Sequence, residues 1–378
     1  MTRASFRAAT AGRDGRRRAG AGARAAGRQV MMGPARSAPR PPPPPLETDV
    51  APAPRSGRPY GTSRRALLGA GLGLLAGAAA GCTDRPGPWP GLRLATGPEG
   101  GPYNAFGRAL ATAAARSGVP AQILPVATAA SVDNLRELDR GSVDLALAMA
   151  DTAEDAVRGR EDFSRPVAVT ALARVYVNHT HLVVAADGPV RTVGDLAGRP
   201  VATGAEGSGV RVVARRVLRA AGLTTGPAAV RERPLGLGES VTALRAGTVD
   251  ALFWSGGVPT PALTALARET PVRLLPLDGW VDALREHHAP VYSAVTLPAG
   301  AYGQTGPVGT IGVGNYLLAR ADVAAPAVRD LLGAVFGQWR DLLRDVTAGA
   351  RLEPRFAIST GSVPLHPGAT AYYRSVYG

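Results

Sequence analysis

The sequence predicts an α/β fold of two related lobes, each built on a mostly parallel sheet. Three observations lead there. From Leu92 onward, short apolar runs alternate with stretches of helical periodicity, as in successive βαβ units. Two Gly-rich turns, Gly97-Pro98-Glu99-Gly100-Gly101-Pro102 and Gly204-Ala205-Glu206-Gly207-Ser208-Gly209, each separate an apolar run from an amphipathic one. Finally, Leu138-Asp139-Arg140-Gly141-Ser142-Val143-Asp144 is echoed by Leu244-Arg245-Ala246-Gly247-Thr248-Val249-Asp250. In both, a helix ends at a glycine suited to the C′ position and the chain enters a strand through Ser/Thr-Val-Asp.

The elements follow in order. Leu92 to Thr96 reads as a strand, and a helix from about Tyr103 to Arg116 buries Phe106, Leu110 and Ala114 at i, i+4, i+8. Gln122 to Ala127 is a second strand. Thr128 to Ser131 is expected to cap a helix carrying Leu135 and Leu138 on one face. Val143 to Ala150 is continuously apolar, which suits a strand buried on both faces. The order repeats with a strand at Pro200 to Thr203, a helix at Val210 to Ala221 and a strand at Thr248 to Trp254. Gly312 to Ala319 reads as a strand leading back to the first lobe, with amphipathic helices after it. Lobe one is expected over 91–183, lobe two over 184–304, and a return to lobe one with C-terminal helices over 305–378.

Upstream lies an export signal. Ser63-Arg64-Arg65 supplies positive charge, Ala66 to Ala80 is an apolar run of 15 residues, and Ala79-Ala80-Gly81 places small residues before Cys82, the single cysteine. That run is too short to span a ~30 Å hydrocarbon core comfortably, which favours a signal peptide over 63–82. Cys82 after small residues resembles a lipobox, where the thiol takes a diacylglycerol and anchors the protein; Ala79 stands where a Leu is usual. The twin arginines suit either a twin-arginine or a Sec route. Residues 83–90 form a linker. Residues 1–62, with the Pro41 to Pro45 run, lack apolar periodicity and read as a disordered or mis-called leader, or as a basic arm.

Composition excludes several chemistries. The formal net charge is +14, but residues 1–82 hold 14 arginines against three acids, so only about +3 remains for the rest. That residue does not imply nucleic acid as a partner. All 43 basic residues other than histidine are arginine, so there is no phosphate-loop, Schiff-base or general-base lysine. One cysteine permits no internal disulfide, and the five histidines fall in no H-E-x-x-H frame. No nucleophile, base and orienter converge, so no enzyme, metal or cofactor is expected.

The candidate site sits at the two Gly-rich turns, because ligands of open α/β sheets bind at the carboxyl ends of strands. Gly97, Gly100, Gly101, Gly207 and Gly209 let backbone approach a solute, and helix N-termini favour a carboxylate. Thr96, Tyr103, Thr128, Ser131 and Ser208 offer hydroxyls, with Glu206 in the second turn; the alternative is that these residues simply cap tight βα turns. Met149, Phe253 and Trp254 suit either an apolar wall for the solute or packing between lobes. Asp151 would bind a solute amine or cap the next helix. Arg211 would clamp a carboxylate or lie on the surface.

Ala95 to Tyr103 resembles the opening motif of the TAXI family, the extracytoplasmic solute-binding subunits of tripartite ATP-independent (TRAP) transporters. The similarity continues through Thr128 to Leu135, Gly204 to Gly209, Asp250 to Gly256, Leu297 to Tyr302 and Pro364 to Ala369. The resemblance implies a type II periplasmic-binding-protein-like fold, two α/β lobes with a ligand cleft between them. It also implies a monomer that captures a glutamate-like amino acid or dicarboxylate and delivers it to TRAP permease subunits from the outer face of the membrane. A sensing module for a signalling partner is the alternative. Asn104, Ala130 and Val210 depart from the family pattern, which has an aromatic, a glycine and often a threonine there.

Overall fold

The computed structural model describes residues 91–288, 290–347 and 350–378; the signal segment and Cys82 lie outside them. The first half-sheet is made by β1 (Leu92–Ala95), α1 (Pro102–Arg116), β2 (Ile123–Val126), α2 (Ser131–Asp139), β3 (Leu145–Met149) and α3 (Ala150–Arg158). A long strand, β4 (Val169–Ala185), leads to β5 (Pro200–Ala202), α4 (Gly209–Ala220), β6 (Arg231–Arg233), α5 (Leu237–Arg245) and β7 (Ala251–Gly256). Then come α6 (Pro261–Glu269), β8 (Val272–Leu274), α7 (Val281–His287), β9 (Tyr292–Leu297) and β10 (Val308–Arg320). The chain closes with α8 (Ala325–Gly337), α9 (Trp339–Leu343), α10 (Pro354–Ala357) and α11 (Pro367–Tyr377).

The strands lie in the order β2-β1-β3-β10-β4-β7-β5-β6, with β9 on β10 and β8 on β4. β1 pairs in parallel with β2 and β3, and β5 in parallel with β6 and β7. The two sets are therefore the same β-α-β-α-β unit used twice. The heptapeptide echo falls at equivalent places in it. Gly141 and Gly247 take φ of +74° and +67° after α2 and α5. The Ser142 and Thr248 hydroxyls each donate to a carbonyl five residues back, Glu137 O at 2.9 Å and Ala243 O at 3.1 Å. Asp144 N and Asp250 N each donate, at 2.9 Å, to the strand alongside, at Arg93 O and Pro200 O.

β4 and β10 join the two sets. They pair antiparallel from Val169 to His179, after which β4 continues along β7 and β10 extends back along β9. At 17 residues β4 is about 55 Å long, enough to serve both halves. The β4–β10 register shifts between Asn315 and Tyr316 and again between Leu317 and Leu318, irregularities that let a strand pair bend. The sequence pattern does not reveal β4, because Arg174, Asn178, His179, Thr180 and His181 interrupt its apolar run.

The core is continuous on one face of the sheet and divided on the other. One cluster joins Leu135 and Leu138 of α2, Ala153 of α3, Val213 and Val217 of α4 and Leu284 of α7. On the opposite face, Phe106 and Leu110 of α1 pack with Leu331 and Val335 of α8, while Leu244 of α5 packs separately with Leu263 and Leu266 of α6. Capping agrees with local chemistry: the Ser208 hydroxyl accepts from Arg211 N at the start of α4, and His366 Nδ1 accepts from Gly368 N at the start of α11. Among the described residues no helix is long and apolar enough to cross a membrane.

The continuous face also carries a buried polar cluster. Arg216 of α4 pairs with Asp151 at 3.5 Å and with Asp155, both on α3, and donates to the Tyr292 hydroxyl of β9 at 2.6 Å. Tyr292 in turn donates to Asp151 Oδ2 at 2.8 Å. Burial pushes the Asp155 carboxyl up to about 6 against the pull of Arg216.

His181 of β4 is fully buried, edge-on to Tyr302, with its Nε2 3.3 Å from the Tyr302 hydroxyl. Burial, with His179 adding like charge, lowers its pKa to about 3. A folded-state pKa below the unfolded value contributes stability above about pH 6.5, and that contribution is lost as pH falls. His181 alone removes about 1.4 kcal/mol by pH 5.5. His179, His288 and His366 shift in the same direction, and Asp155 in the opposite one. Urea midpoints at pH 7.5 and 5.5 should therefore fall less for His181→Gln than for wild type; equal falls would remove His181 from the account.

Candidate functional site

Three βα turns meet around one cleft. Gly97–Gly101 before α1, Ala129–Ala130 before α2 and Gly204, Ala205 and Ser208 before α4 enclose a cleft of about 400 Å³. Leu235–Glu239 at the start of α5 and Phe253–Ser255 of β7 complete its wall, and Asn178 of β4 borders it from the crossing strands. Backbone needs explain the glycines only in part. Gly204 has φ of +93°, and a Cβ there would lie 2.8 Å from Val210 Cβ and 2.9 Å from Arg211 N. Gly209 has an ordinary φ, but its Cβ would lie 2.7 Å from both Ser131 Oγ and Met149 Sδ, across from the first unit.

That contact shows how the two units meet. The Gly207 carbonyl accepts from Val132 N at 3.0 Å and Asp133 N at 3.2 Å, so the second turn caps the first unit's α2. These are N–H groups that a helix start leaves without an internal acceptor. They are consumed within the protein rather than offered to a solute.

Beside the cleft runs a buried polar chain. Ser131 Oγ accepts from Met149 N at 3.1 Å and lies 3.3 Å from the Tyr103 hydroxyl, which donates to Asn315 Oδ1 at 2.5 Å. Asn178 Nδ2 reaches the same Asn315 Oδ1 at 3.3 Å and Ser255 O at 3.4 Å. Burial raises the Tyr103 pKa, so its hydroxyl stays a neutral donor. Asn178 Oδ1 and Ser255 Oγ are buried with no partner. In a folded interior such groups ordinarily find one.

Of the residues expected from sequence, Gly97, Gly100, Gly101, Tyr103, Ser131, Met149, Ser208, Gly209, Phe253 and Trp254 border the cleft together. Five do not. Thr96 is buried under the first turn and donates to Val126 O at 2.9 Å. Thr128 donates to Thr96 O at 2.9 Å and to Asn134 Oδ1, which occupies its hydroxyl and leaves α2 without a Thr128 cap. Asp151 belongs to the Arg216 cluster, where Arg216, Tyr292 and Thr152 hold its carboxylate, and it does not border the cleft. Glu206 is exposed and pairs with Arg211, which also reaches Glu232 at 3.5 Å, so neither is a clamp. Gly207 faces α2 as described. Sequence reasoning missed Asn178, Ser255 and Asn315; the available signal was an asparagine inside a strand buried on both faces. Among the described residues no group of side chains is placed to hold a metal.

Ala130, which lines the cleft and heads α2, holds φ +115° and ψ −139°, a region that belongs almost to glycine alone. Such a conformation costs about 1–3 kcal/mol, while glycine adds about 0.5–1 kcal/mol of unfolded-state entropy. Ala130→Gly should therefore stabilise the fold by about 1 kcal/mol, seen as a raised denaturation midpoint. A lowered midpoint would show that the backbone there is unstrained.

Two repeated α/β units, two crossing strands and a cleft between the units define a two-lobed fold of the type II periplasmic-binding kind. The chain belongs to the NMT1-like family, whose model matches residues 94–376. It is similar to the periplasmic aliphatic sulphonate binding protein SsuA from Escherichia coli, at 19% identity over 68% of this chain and 74% of that one, with a TM-score of 0.40. It is also similar to MatC from Rhodopseudomonas palustris with bound malate, at 18% identity over 68% and 88% of the two chains and a TM-score of 0.46. A TctC solute binding protein from Polaromonas matches at 18% identity over 76% and 98%, with a TM-score of 0.44.

Proposed function

We propose that this protein is an extracytoplasmic, lipid-anchored solute-binding protein that captures a small organic anion and delivers it to a TRAP-type permease. One observation carries the reading. A cleft of ligand size lies between the two units, and side chains and turns from both border it. A solute touching both walls favours the closed arrangement. Among the described residues, the side chains bordering the cleft include no histidine, cysteine or arginine, which suits holding a solute rather than transforming it. The TAXI resemblance supports the permease partner, and the signal before Cys82 supports export and anchoring.

The test has two arms. Calorimetry on the exported protein with a panel of amino acids and carboxylates should find one that binds. At a hundred times its dissociation constant it should stabilise the fold by about 2.7 kcal/mol. Binding of an uncharged sugar or a metal ion, with every carboxylate failing, would end this reading. In the second arm, Cys82→Ser should shift the protein from the membrane to the soluble fraction or leave it unprocessed.

A further inference from the structure

The chemistry bordering the cleft narrows the class of solute. Among the described residues, the charged side chains bordering it are Glu99 and Glu239, both exposed at its rim. Arg211, next to Val210 in sequence, is held by Glu206 and Glu232. The Val132 and Asp133 amides of α2 serve the Gly207 carbonyl, and Arg211 N of α4 serves the Ser208 hydroxyl. What remains for a carboxylate are the Tyr103 and Asn104 N–H groups of α1, whose first residue Pro102 carries none, and those of Gly209 and Val210 at the start of α4. A second carboxylate on the same solute would find no cation and would face two glutamates.

The rest of the wall is apolar, with Pro98, Met149, Leu235, Leu237, Phe253 and Trp254. It suits a hydrocarbon or aromatic body. Bordering the same cleft, Asn178 and Ser255 are 2% and 3% exposed and each carries an unpartnered oxygen, Asn178 Oδ1 and Ser255 Oγ. An amide oxygen accepts only, so it calls for a donor on the solute, and an ammonium supplies three. A buried acceptor left without a donor discriminates strongly against a ligand that lacks one.

Resting on the solute-binding reading above, we propose that the cleft selects α-amino acids with apolar side chains over acidic amino acids and dicarboxylates. The carboxylate sits at the helix starts, the ammonium at Asn178 and Ser255, and the side chain against Phe253, Trp254 and the two leucines.

The experiment is calorimetry on the full exported chain with leucine, phenylalanine, glutamate, succinate, 4-methylpentanoate and glucose. Leucine or phenylalanine should bind at least tenfold more tightly than glutamate or succinate. Leucine should also exceed 4-methylpentanoate, its analogue without the amine, by at least tenfold. Asn178→Ala should shrink that second ratio to near one while leaving 4-methylpentanoate binding in place, and Ser255→Ala provides the same readout should Asn178→Ala not fold. Glu99→Gln with Glu239→Gln should raise glutamate relative to leucine. Tighter binding of glutamate or succinate than of both apolar amino acids overturns this proposal and leaves the solute-binding reading standing. An unchanged leucine to 4-methylpentanoate ratio in both variants overturns the ammonium site. Binding of glucose alone, or of none of these compounds, overturns both readings together.

Discussion

Replacing Arg216 with alanine is expected to cost the fold about 3–5 kcal/mol. The guanidinium is 3% exposed and sits between Asp151, which has no exposure, and Asp155 at 5%. Removing it strands two carboxylates inside the core that joins α3 to α4, leaving Asp151 only the Tyr292 hydroxyl and neutral donors of Thr152, and Asp155 only the half-exposed Arg160. A buried pair contributes little net stability when intact, yet breaking one side leaves uncompensated charge. The same physics predicts a partial recovery. Arg216→Met combined with Asp151→Leu and Asp155→Leu should be closer to wild type than Arg216→Ala alone. Urea denaturation at pH 7.5 reads both, and a single variant within about 0.5 kcal/mol of wild type would show that the cluster is not held as described.

Gly209→Val is expected to weaken solute binding by up to about 3 kcal/mol, roughly a hundredfold, with far less effect on stability. The added carbons would enter the space of Ser131, whose hydroxyl is already committed to Met149 N and to the Tyr103 hydroxyl. The crowding exists only while the two units touch, so opening relieves it and the fold survives. Gly209→Ala should fall between the two. Calorimetry gives the affinity, and small-angle scattering should show a larger radius of gyration for the valine variant. Wild-type affinity in Gly209→Val would mean that the units do not close on the solute.

Local chemistry was the legible part of this chain. Gly141 and Gly247, with the Ser/Thr-Val-Asp steps after them, marked equivalent turns because a C′ glycine and a capping hydroxyl act within a few residues. The Gly97 and Gly204 turns, and Tyr103, Ser131, Met149, Phe253 and Trp254 beside them, were legible for the same reason. What escaped depended on distant partners. Asp151 looks like a ligand residue at a strand end until Arg216, 65 positions away, arrives beside it. Thr96 and Thr128 have suitable hydroxyls, but the direction of each is set by the neighbouring strand and by Asn134. Asn178 and Asn315 lie 137 positions apart, and only pairing of β4 with β10 brings them together.

That pairing gives the crossing strands a second office. Asn178 stands on β4 where it borders the cleft, opposite Val313 of β10, and the β4–β10 register slips just beyond Asn315. A solute that reaches Asn178 thus touches the strand pair that links the two units. Under the proposed function, occupancy would then set the lobe angle with no relay in between. Substitutions along β4 and β10 that never meet the solute would then retune how long the protein stays shut, leaving the recognition of its cargo alone.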